Sequence, residues 1–172
     1  MAPMTDEAAF VEFVTARSAA LMRTAYLLTR DHQLAEDLVQ TALFKAAMAW
    51  ERIEGEPEPY VRRILYTENV SWWRRRSRGV PEAATPDTGE PAGPAPLADL
   101  DLQMSLERAL DLLTAKQRTV LVLRYYEDLT EADTARVLGI ALGTVKSTHR
   151  HALDRLRAVA PHLGELIGAG RD

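Results

Sequence analysis

Apolar residues recur every three or four positions through the first fifty residues, which is the spacing of amphipathic helices. No proline or glycine interrupts the pattern between Asp6 and Thr29, so we predict one long helix there. Asp31 can cap a second helix, whose apolar residues fall on two sides and predict packing against more than one neighbour. The apolar positions are Phe10, Phe13, Val14, Leu21, Ala25 and Leu28 in the first helix, and Leu34, Leu38, Val39, Ala42, Leu43, Ala46 and Trp50 in the second.

The outward strip of the second helix is polar except for one phenylalanine. Asp37, Gln40 and Phe44 fall in this strip. A large apolar side chain among polar ones favours a docking surface. A single exposed apolar residue is also common on monomeric proteins, so both interpretations stay open.

A third helix is predicted from about Tyr60 to Arg78, after a segment rich in glycine and proline. One side of this helix is apolar, whereas the other combines arginines with large aromatic residues. Arginine binds phosphates and aromatic rings stack on unpaired bases, so the mixture favours nucleic acid over a solvated surface. The structural alternative is that Tyr66 and Trp73 pack on the first helix. The predicted inner side contains Val61, Ile64, Leu65 and Trp72, and the other side contains Arg62, Arg63, Tyr66, Val70, Trp73 and Arg74.

The last third of the chain has the pattern of four helices that end in a helix-turn-helix. Leucines at helical spacing predict the first of them, and Thr114 with Gln117 has capping-box spacing for the second. Thr130 with Asp133 has the same spacing, and Gly139 can take the positive φ of a helix end. An ordinary hairpin of two helices would show the same signals, so the motif alone leaves DNA binding open.

The final helix is predicted to begin near Gly143 and to present a polar face to a DNA major groove. Its apolar stripe also contains His149, for which we predict a neutral, hydrogen-bonded packing role rather than a pH switch. The apolar positions are Val145, Ala152, Leu153 and Leu156; the central polar face is Thr144, Ser147 and His151, with Lys146, Thr148, Arg150 and Arg155 on the flanks.

Composition fits a globular protein of two domains. The 172 residues are 47% hydrophobic, and a Pro/Gly/Ala-rich acidic segment over 79–98 predicts a flexible linker. The net charge of −4 argues against a nonspecific nucleic-acid coat, but the stretch from Tyr60 to Arg78 carries six arginines against one glutamate.

The acidic amino terminus lacks the features of a signal peptide, and no apolar run approaches membrane-spanning length. We therefore expect a cytoplasmic protein without membrane insertion.

Catalysis has almost no support in the sequence. Cysteine is absent, which excludes disulfides and cysteine-based metal sites. The four histidines have no recognised ligand spacing, and no phosphate-binding glycine loop or nucleophile motif is present. We expect no catalytic residues, no bound metal and no cofactor.

Two separated stretches resemble bacterial RNA polymerase sigma factors of the extracytoplasmic-function (ECF) group, which have only regions 2 and 4. LLTRDHQLAEDLVQTAL followed by YVRRILYTENVSWWRRRSR is similar to region 2, and LTAKQRTVLVLRYYEDLTEADTARVLGIALGTVKS is similar to region 4. The resemblance implies an all-α fold of two small helical domains: a region 2-like bundle over 1–78 and a region 4-like helix-turn-helix over 99–161. The linker over 79–98 joins them, and a tail covers 162–172.

The same resemblance implies a function and a set of site residues. The protein would bind core RNA polymerase, recognise the −35 and −10 promoter elements and promote DNA melting, and an anti-sigma factor is a candidate further partner. Polymerase contacts would come from Asp37, Gln40 and Phe44. The −10 element would be recognised and opened by Arg62, Arg63, Tyr66, Asn69, Trp73, Arg74, Arg75 and Arg76, and the −35 element would be bound by Thr144, Lys146, Ser147, Thr148, Arg150, His151 and Arg155.

Four positions depart from the family pattern. Thr67 stands where an asparagine is common, Thr114 replaces a usual proline, Asp133 a usual glutamate, and His151 a frequent arginine. Thr67 lies in the region 2 stretch and leaves open which side chain near Thr67 to Asn69 captures a flipped base. The other three lie in the region 4 stretch, so we expect an unusual or weak −35 preference. The alternatives are a helix-turn-helix regulator that binds duplex DNA without joining polymerase, and a purely protein-binding adaptor. The arginine-aromatic helix argues against the first and the predicted recognition helix against the second.

Overall fold

A computed structural model of the protein describes residues 3–78 and 102–162, with side chains over 6–76 and 106–162. Within these ranges the regular structure is helical, which confirms the predicted all-α class. The α-helices are α1 (Pro3–Thr29), α2 (His32–Ala49), α3 (Pro57–Arg78), α4 (Leu102–Asp111), α5 (Ala115–Leu121), α6 (Glu131–Leu138) and α7 (Leu142–Val159). A 3₁₀ turn, Trp50–Arg52, follows α2, and a π-helical turn, Val122–Tyr126, continues α5.

The chain divides into two compact units, residues 1–72 and 73–172. The linker predicted over 79–98 and most of the tail predicted over 162–172 lie outside the described residues. Among the helices described, none is long and apolar enough to cross a membrane. In the same ranges, no group of three His, Cys, Asp or Glu side chains is placed to hold a metal ion.

In the first unit, α1 and α2 form an antiparallel pair, and side-chain contacts stabilise both ends of the pair. At one end the Leu34 backbone N–H donates to Asp31 Oδ1 at 2.9 Å, which confirms the predicted cap of α2. At the other end the ring of Trp50 lies 5.0 Å from that of Phe10 and 5.4 Å from that of Phe13, between centroids. The predicted two-sided burial of α2 is also confirmed, with buried residues Ala35, Leu38, Val39, Ala42 and Ala46.

The helix α3 is buried over a wider arc than predicted. Val61 and Leu65 are buried as expected, but so are Tyr66, Asn69 and Val70. The reason is that α3 contacts both partners: the Arg62 guanidinium reaches α1, and Glu68 forms an ion pair with Lys45 of α2. A helix packed on two others needs two apolar sides, whereas a single predicted inner face assumes one neighbour.

In the second unit, α5 and α6 begin at the capping residues that the sequence predicted. The Thr114 hydroxyl and the Gln117 side chain form a complete capping box, and Thr130 caps α6 by accepting from the Asp133 N–H. Gly139 ends α6 in the left-handed conformation, with φ of 63°, as predicted. Helix α7 begins at Leu142, one residue before the predicted start. Its side chains Val145, Ala152 and Leu156 are fully buried.

Candidate nucleic-acid interface

The exposed side of α7 is lined by basic residues. Lys146, Arg150 and His151 are exposed, and Thr144 and Ser147 are half-buried at the edges of the packed side. A groove of about 540 Å³ runs along this side. It is lined by Glu131, Gly143, Lys146, Ser147, His149, Arg150, Leu153 and Arg157.

The groove has an excess of positive charge. Lys146, Arg150 and Arg157 contribute three cations, against the single carboxylate of Glu131. Within the described residues, neither Lys146 nor Arg150 forms an ion pair, whereas Arg157 approaches Asp154 at 3.3 Å. Lysine and arginine without internal partners can meet phosphates at little cost, so the groove suits a polyanion.

Two residues predicted to contact the −35 element are engaged in packing or hydrogen bonding within the second unit. Thr148 is only 7% exposed, because positions 145, 148 and 152 fall on the same packed side of α7. Arg155 points back to the end of α4, where its Nε donates to the Leu112 carbonyl at 2.6 Å. The buried Arg118 donates to the neighbouring Leu110 carbonyl at 3.1 Å. Both arginines thus donate to backbone carbonyls at or just after the end of α4, and the Leu110 carbonyl also accepts from the Leu113 N–H at 3.2 Å.

The predicted hydrogen-bonded packing role of His149 is confirmed. Its Nε2 lies 2.8 Å from the Tyr125 hydroxyl, and its Nδ1 lies 3.2 Å from Glu131 Oε1. The side chain is 14% exposed. The π-helical turn after α5 carries Tyr125, and Glu131 is the first residue of α6, so the ring joins three elements.

The start of α6 is stabilised by a reciprocal pair. The Thr130 hydroxyl accepts from the Asp133 N–H at 3.0 Å and donates to Asp133 Oδ2 at 2.7 Å. This hydroxyl, with the nearby Arg136 guanidinium, lowers the pKa of the Asp133 carboxyl below its usual value, against a smaller opposing effect of burial. Because the folded pKa is depressed, the contribution to stability is present above the ordinary carboxyl pKa and is lost as the pH falls through the folded value.

Three residues predicted to contact the −10 element are engaged inside the first unit. Arg62 donates to Glu58 Oε1 through Nε at 3.0 Å and Nη2 at 2.8 Å, and to Thr24 Oγ1 through Nη1 at 2.9 Å. Tyr66 is 4% exposed and Asn69 is 3% exposed. The carboxylate of Glu58 also pairs with Arg17 of α1 at 3.1 Å, so it lies between two guanidinium groups. These three side chains are therefore part of the packing of α3, not of its surface.

The other residues predicted on α3 lie wholly or partly at the surface. Arg63, Arg74, Arg75 and Arg76 are exposed, and Trp73 is half-buried. The Arg74 guanidinium carbon lies 5.8 Å from the centroid of the Trp73 ring, at the outer limit of a cation–π contact. The end of α3 thus combines cations with an indole ring.

The strip on α2 is exposed as predicted, and it is more apolar than predicted. Asp37 and Gln40 are exposed, and Phe44 is 67% exposed. Met48, one turn beyond Phe44, is 69% exposed and was not predicted as a site residue. The spacing of four residues from Phe44 is the signal that could have identified it.

Comparison with known proteins identifies both units. The family model for "Sigma-70 region 2" matches residues 13–79, and that for "Sigma-70, region 4" matches residues 109–158. The chain is 40% identical over 151 residues to the RNA polymerase sigma-E factor of Streptomyces coelicolor, covering 86% of this chain and 84% of that protein.

Two further relatives agree with this assignment. The ECF RNA polymerase sigma factor SigL of Mycobacterium tuberculosis is 35% identical over 163 residues, covering 86% of each chain. The sigma factor RpoE of Bartonella quintana, solved in complex with the anti-sigma factor NepR, superimposes with a TM-score of 0.60 at 31% identity. That match covers 88% of this chain and 96% of that one.

Proposed function

Because this chain belongs to the ECF group of bacterial RNA polymerase sigma factors, we propose that each of its described surfaces has a separate role in transcription initiation. The protein acts with core RNA polymerase and promoter DNA in transcription initiation. The alternative of a regulator that never joins polymerase is disfavoured by this membership. The observation that carries the residue assignments is the groove along α7, whose cations Lys146 and Arg150 have no ion-pair partners among the described residues.

The α7 groove is the −35 surface. Lys146 and Arg150 hold backbone phosphates, while Ser147, Thr144 and His151 face the bases. Since histidine is not a permanent cation, His151 contributes less to phosphate binding than an arginine would. Thr148 and Arg155 support the helix without touching DNA.

The exposed residues of α3 recognise and open the −10 element. Arg63, Arg74, Arg75 and Arg76 bind phosphates, and the Trp73 ring stacks on a base that leaves the duplex. Strand separation draws on binding energy and not on hydrolysis, so the protein is a non-enzymatic initiation factor. Arg62, Tyr66 and Asn69 hold α3 in place.

The strip on α2 is the docking surface for core polymerase. Its apolar centre, Phe44 and Met48, is flanked by Asp37 and Gln40, which gives the arrangement of apolar core and polar rim that protein interfaces use. The linker over 79–98 lets the region 2-like domain, 1–78, and the region 4-like domain, 99–161, reach their separate elements. The site of action is the cytoplasm, and an anti-sigma protein is a candidate partner, as for the Bartonella quintana factor.

Replacing Lys146 with alanine is expected to reduce the slope of log affinity against log salt by about one unit on every promoter tested, because one phosphate contact is lost. The measurement is a filter-binding titration of the reconstituted holoenzyme at several salt concentrations. Lys116→Ala, a change on α5 outside the groove, is the matched control and should leave the slope unchanged. An unaltered slope for the Lys146 variant would reject the phosphate assignment.

A further inference from the structure

One histidine joins the recognition helix to the two elements that precede it. The His149 cluster consists of Tyr125 in the π-helical turn, Glu131 at the start of α6 and His149 on α7, with hydrogen bonds of 2.8 and 3.2 Å to the two ring nitrogens. The aromatic rings of Tyr125 and His149 also lie 5.6 Å apart, at an interplanar angle of 42°. Each ring nitrogen of the imidazole therefore has a hydrogen-bond partner.

The partners determine where the imidazole proton lies. An ionised carboxylate can only accept a hydrogen bond, so Nδ1 must carry the proton that points to Glu131. In the neutral ring Nε2 is then an acceptor, and the Tyr125 hydroxyl is its donor. With a neutral ring the hydrogen bonds run from the Tyr125 hydroxyl through the ring to the Glu131 carboxylate, and with a doubly protonated ring both nitrogens donate, so Glu131 accepts from Nδ1 in either case.

The cluster also borders the cationic groove. Glu131 and His149 line it together with Lys146 and Arg150, and Glu131 is the one carboxylate in that lining. A carboxylate without a partner in this position would be attracted to either cation. Within the described residues, Glu131 pairs with His149 and neither cation has an acidic partner.

We infer that His149 is a positioning residue that holds the Glu131 carboxylate away from Lys146 and Arg150, so that both cations stay available to DNA phosphate. This role rests on the proposed −35 surface and adds to it a residue that does not itself touch DNA. Tyr125 fixes the ring from the other side, and the π-helical turn is what brings its hydroxyl to α7.

The direct test of the cluster needs no variant. A ¹⁵N–¹H spectrum of the histidine side chains in the full-length protein should show His149 as the neutral tautomer with the proton on Nδ1. Tyr125→Phe should leave the proton on Nδ1, where Glu131 still accepts it, and should shift the Nε2 resonance of His149, whereas Tyr126→Phe, a change at the exposed neighbour, should shift neither. A spectrum in which Nε2 carries the proton of His149 in the unmodified chain would overturn the inferred cluster.

The test of its role uses a double substitution. His149→Leu should weaken closed-complex binding of the holoenzyme to a promoter fragment by about fivefold and reduce the salt slope by about one unit, the loss of one phosphate contact. Glu131→Gln in the same chain should restore most of the affinity, since the freed carboxylate is gone. A purely structural role for His149 predicts that Glu131→Gln changes the affinity by the same factor with and without His149→Leu, so equal factors in the two backgrounds would overturn the inference.

The two tests separate this inference from the proposed function. If the holoenzyme failed to bind any promoter, the −35 assignment would be wrong while the tautomer spectrum still reported on the cluster. If His149→Leu unfolds the second unit, seen as a lost thermal transition by circular dichroism, His149→Gln replaces it in the same pair of measurements, because its amide is polar but presents no donor at the Nδ1 position. The same drop in affinity and the same larger effect of Glu131→Gln are expected, and an unchanged affinity for His149→Gln would overturn the inference.

Discussion

Replacing Phe44 with alanine is expected to weaken binding to core RNA polymerase by about 30-fold, which corresponds to about 2 kcal/mol. The ring is 67% exposed in the free protein and lies in the middle of the α2 strip. Because the side chain is 67% exposed, an interface can remove on the order of 100 Å² of it from water, and apolar burial at about 25 cal/mol per Å² then amounts to roughly 2.5 kcal/mol, enough to account for this loss. The measurement is a fluorescence titration of labelled protein with core enzyme.

Val11→Ala is the matched control for this experiment. Val11 is also a large exposed apolar residue, 56% exposed, but it lies on α1 outside the strip. Its truncation should leave polymerase affinity unchanged, and neither variant should alter thermal stability, because neither side chain is buried. Equal affinities for the Phe44 variant and the unmodified protein would show that polymerase docks elsewhere.

Replacing Trp73 with alanine is expected to reduce open-complex formation by about 10-fold or more, with a much smaller effect on closed-complex binding. Stacking of one base on an aromatic ring contributes on the order of 1–3 kcal/mol, and this contact forms only when a base leaves the duplex. Permanganate footprinting measures strand opening, and a gel shift at a temperature that prevents opening measures closed binding. Both use the same holoenzyme and promoter fragment.

Trp73→Phe provides the conservative comparison, since a phenyl ring can stack although it lacks the indole N–H. It should recover a large part of strand opening. If alanine at Trp73 lowered footprinting and gel shift by the same factor, the ring would be a general binding contact and its role in melting would be rejected. A failure of the phenylalanine variant to recover any opening would also reject stacking as the mechanism.

Local sequence signals identified the ends of the helices well. The caps at Asp31 and Thr114 and the left-handed Gly139 involve side chains and backbone within a few residues of one another, so the chain needs no tertiary information to specify them. The packing of His149 was also predictable, because its position on an apolar stripe implied burial. Its partners Tyr125 and Glu131 were not, since they lie 24 and 18 residues away in the chain.

The exposed side of α3 was harder to predict. The spacing of apolar residues identifies one buried face of a helix, but it does not show how many other helices pack against it. Tyr66 and Asn69 were assigned to DNA and are buried. Arginine is usually a surface residue, so nothing local indicated that Arg62 would be held by Glu58 and Thr24. An arginine four residues after a glutamate on one helix is the signal that could have suggested this pairing.

The buried or internally bonded positions on α7 have a similar origin. Thr148 is polar and was placed with the DNA contacts, but threonine is small enough to fill a packed position. Arg155 is drawn to the Leu112 carbonyl, 43 residues earlier in the sequence, which no local pattern could show. The surfaces proposed for DNA and polymerase therefore consist of the predicted residues that are exposed or half-buried.

Transcription by purified core RNA polymerase on fragmented genomic DNA, with and without this protein, tests the central claim most directly. We predict that the protein binds the core enzyme and that discrete run-off transcripts start only in its presence, at sites sharing two short upstream elements. Failure of the protein to associate with core polymerase, or transcripts identical to those of the core enzyme alone, would contradict its role as the promoter-recognising subunit.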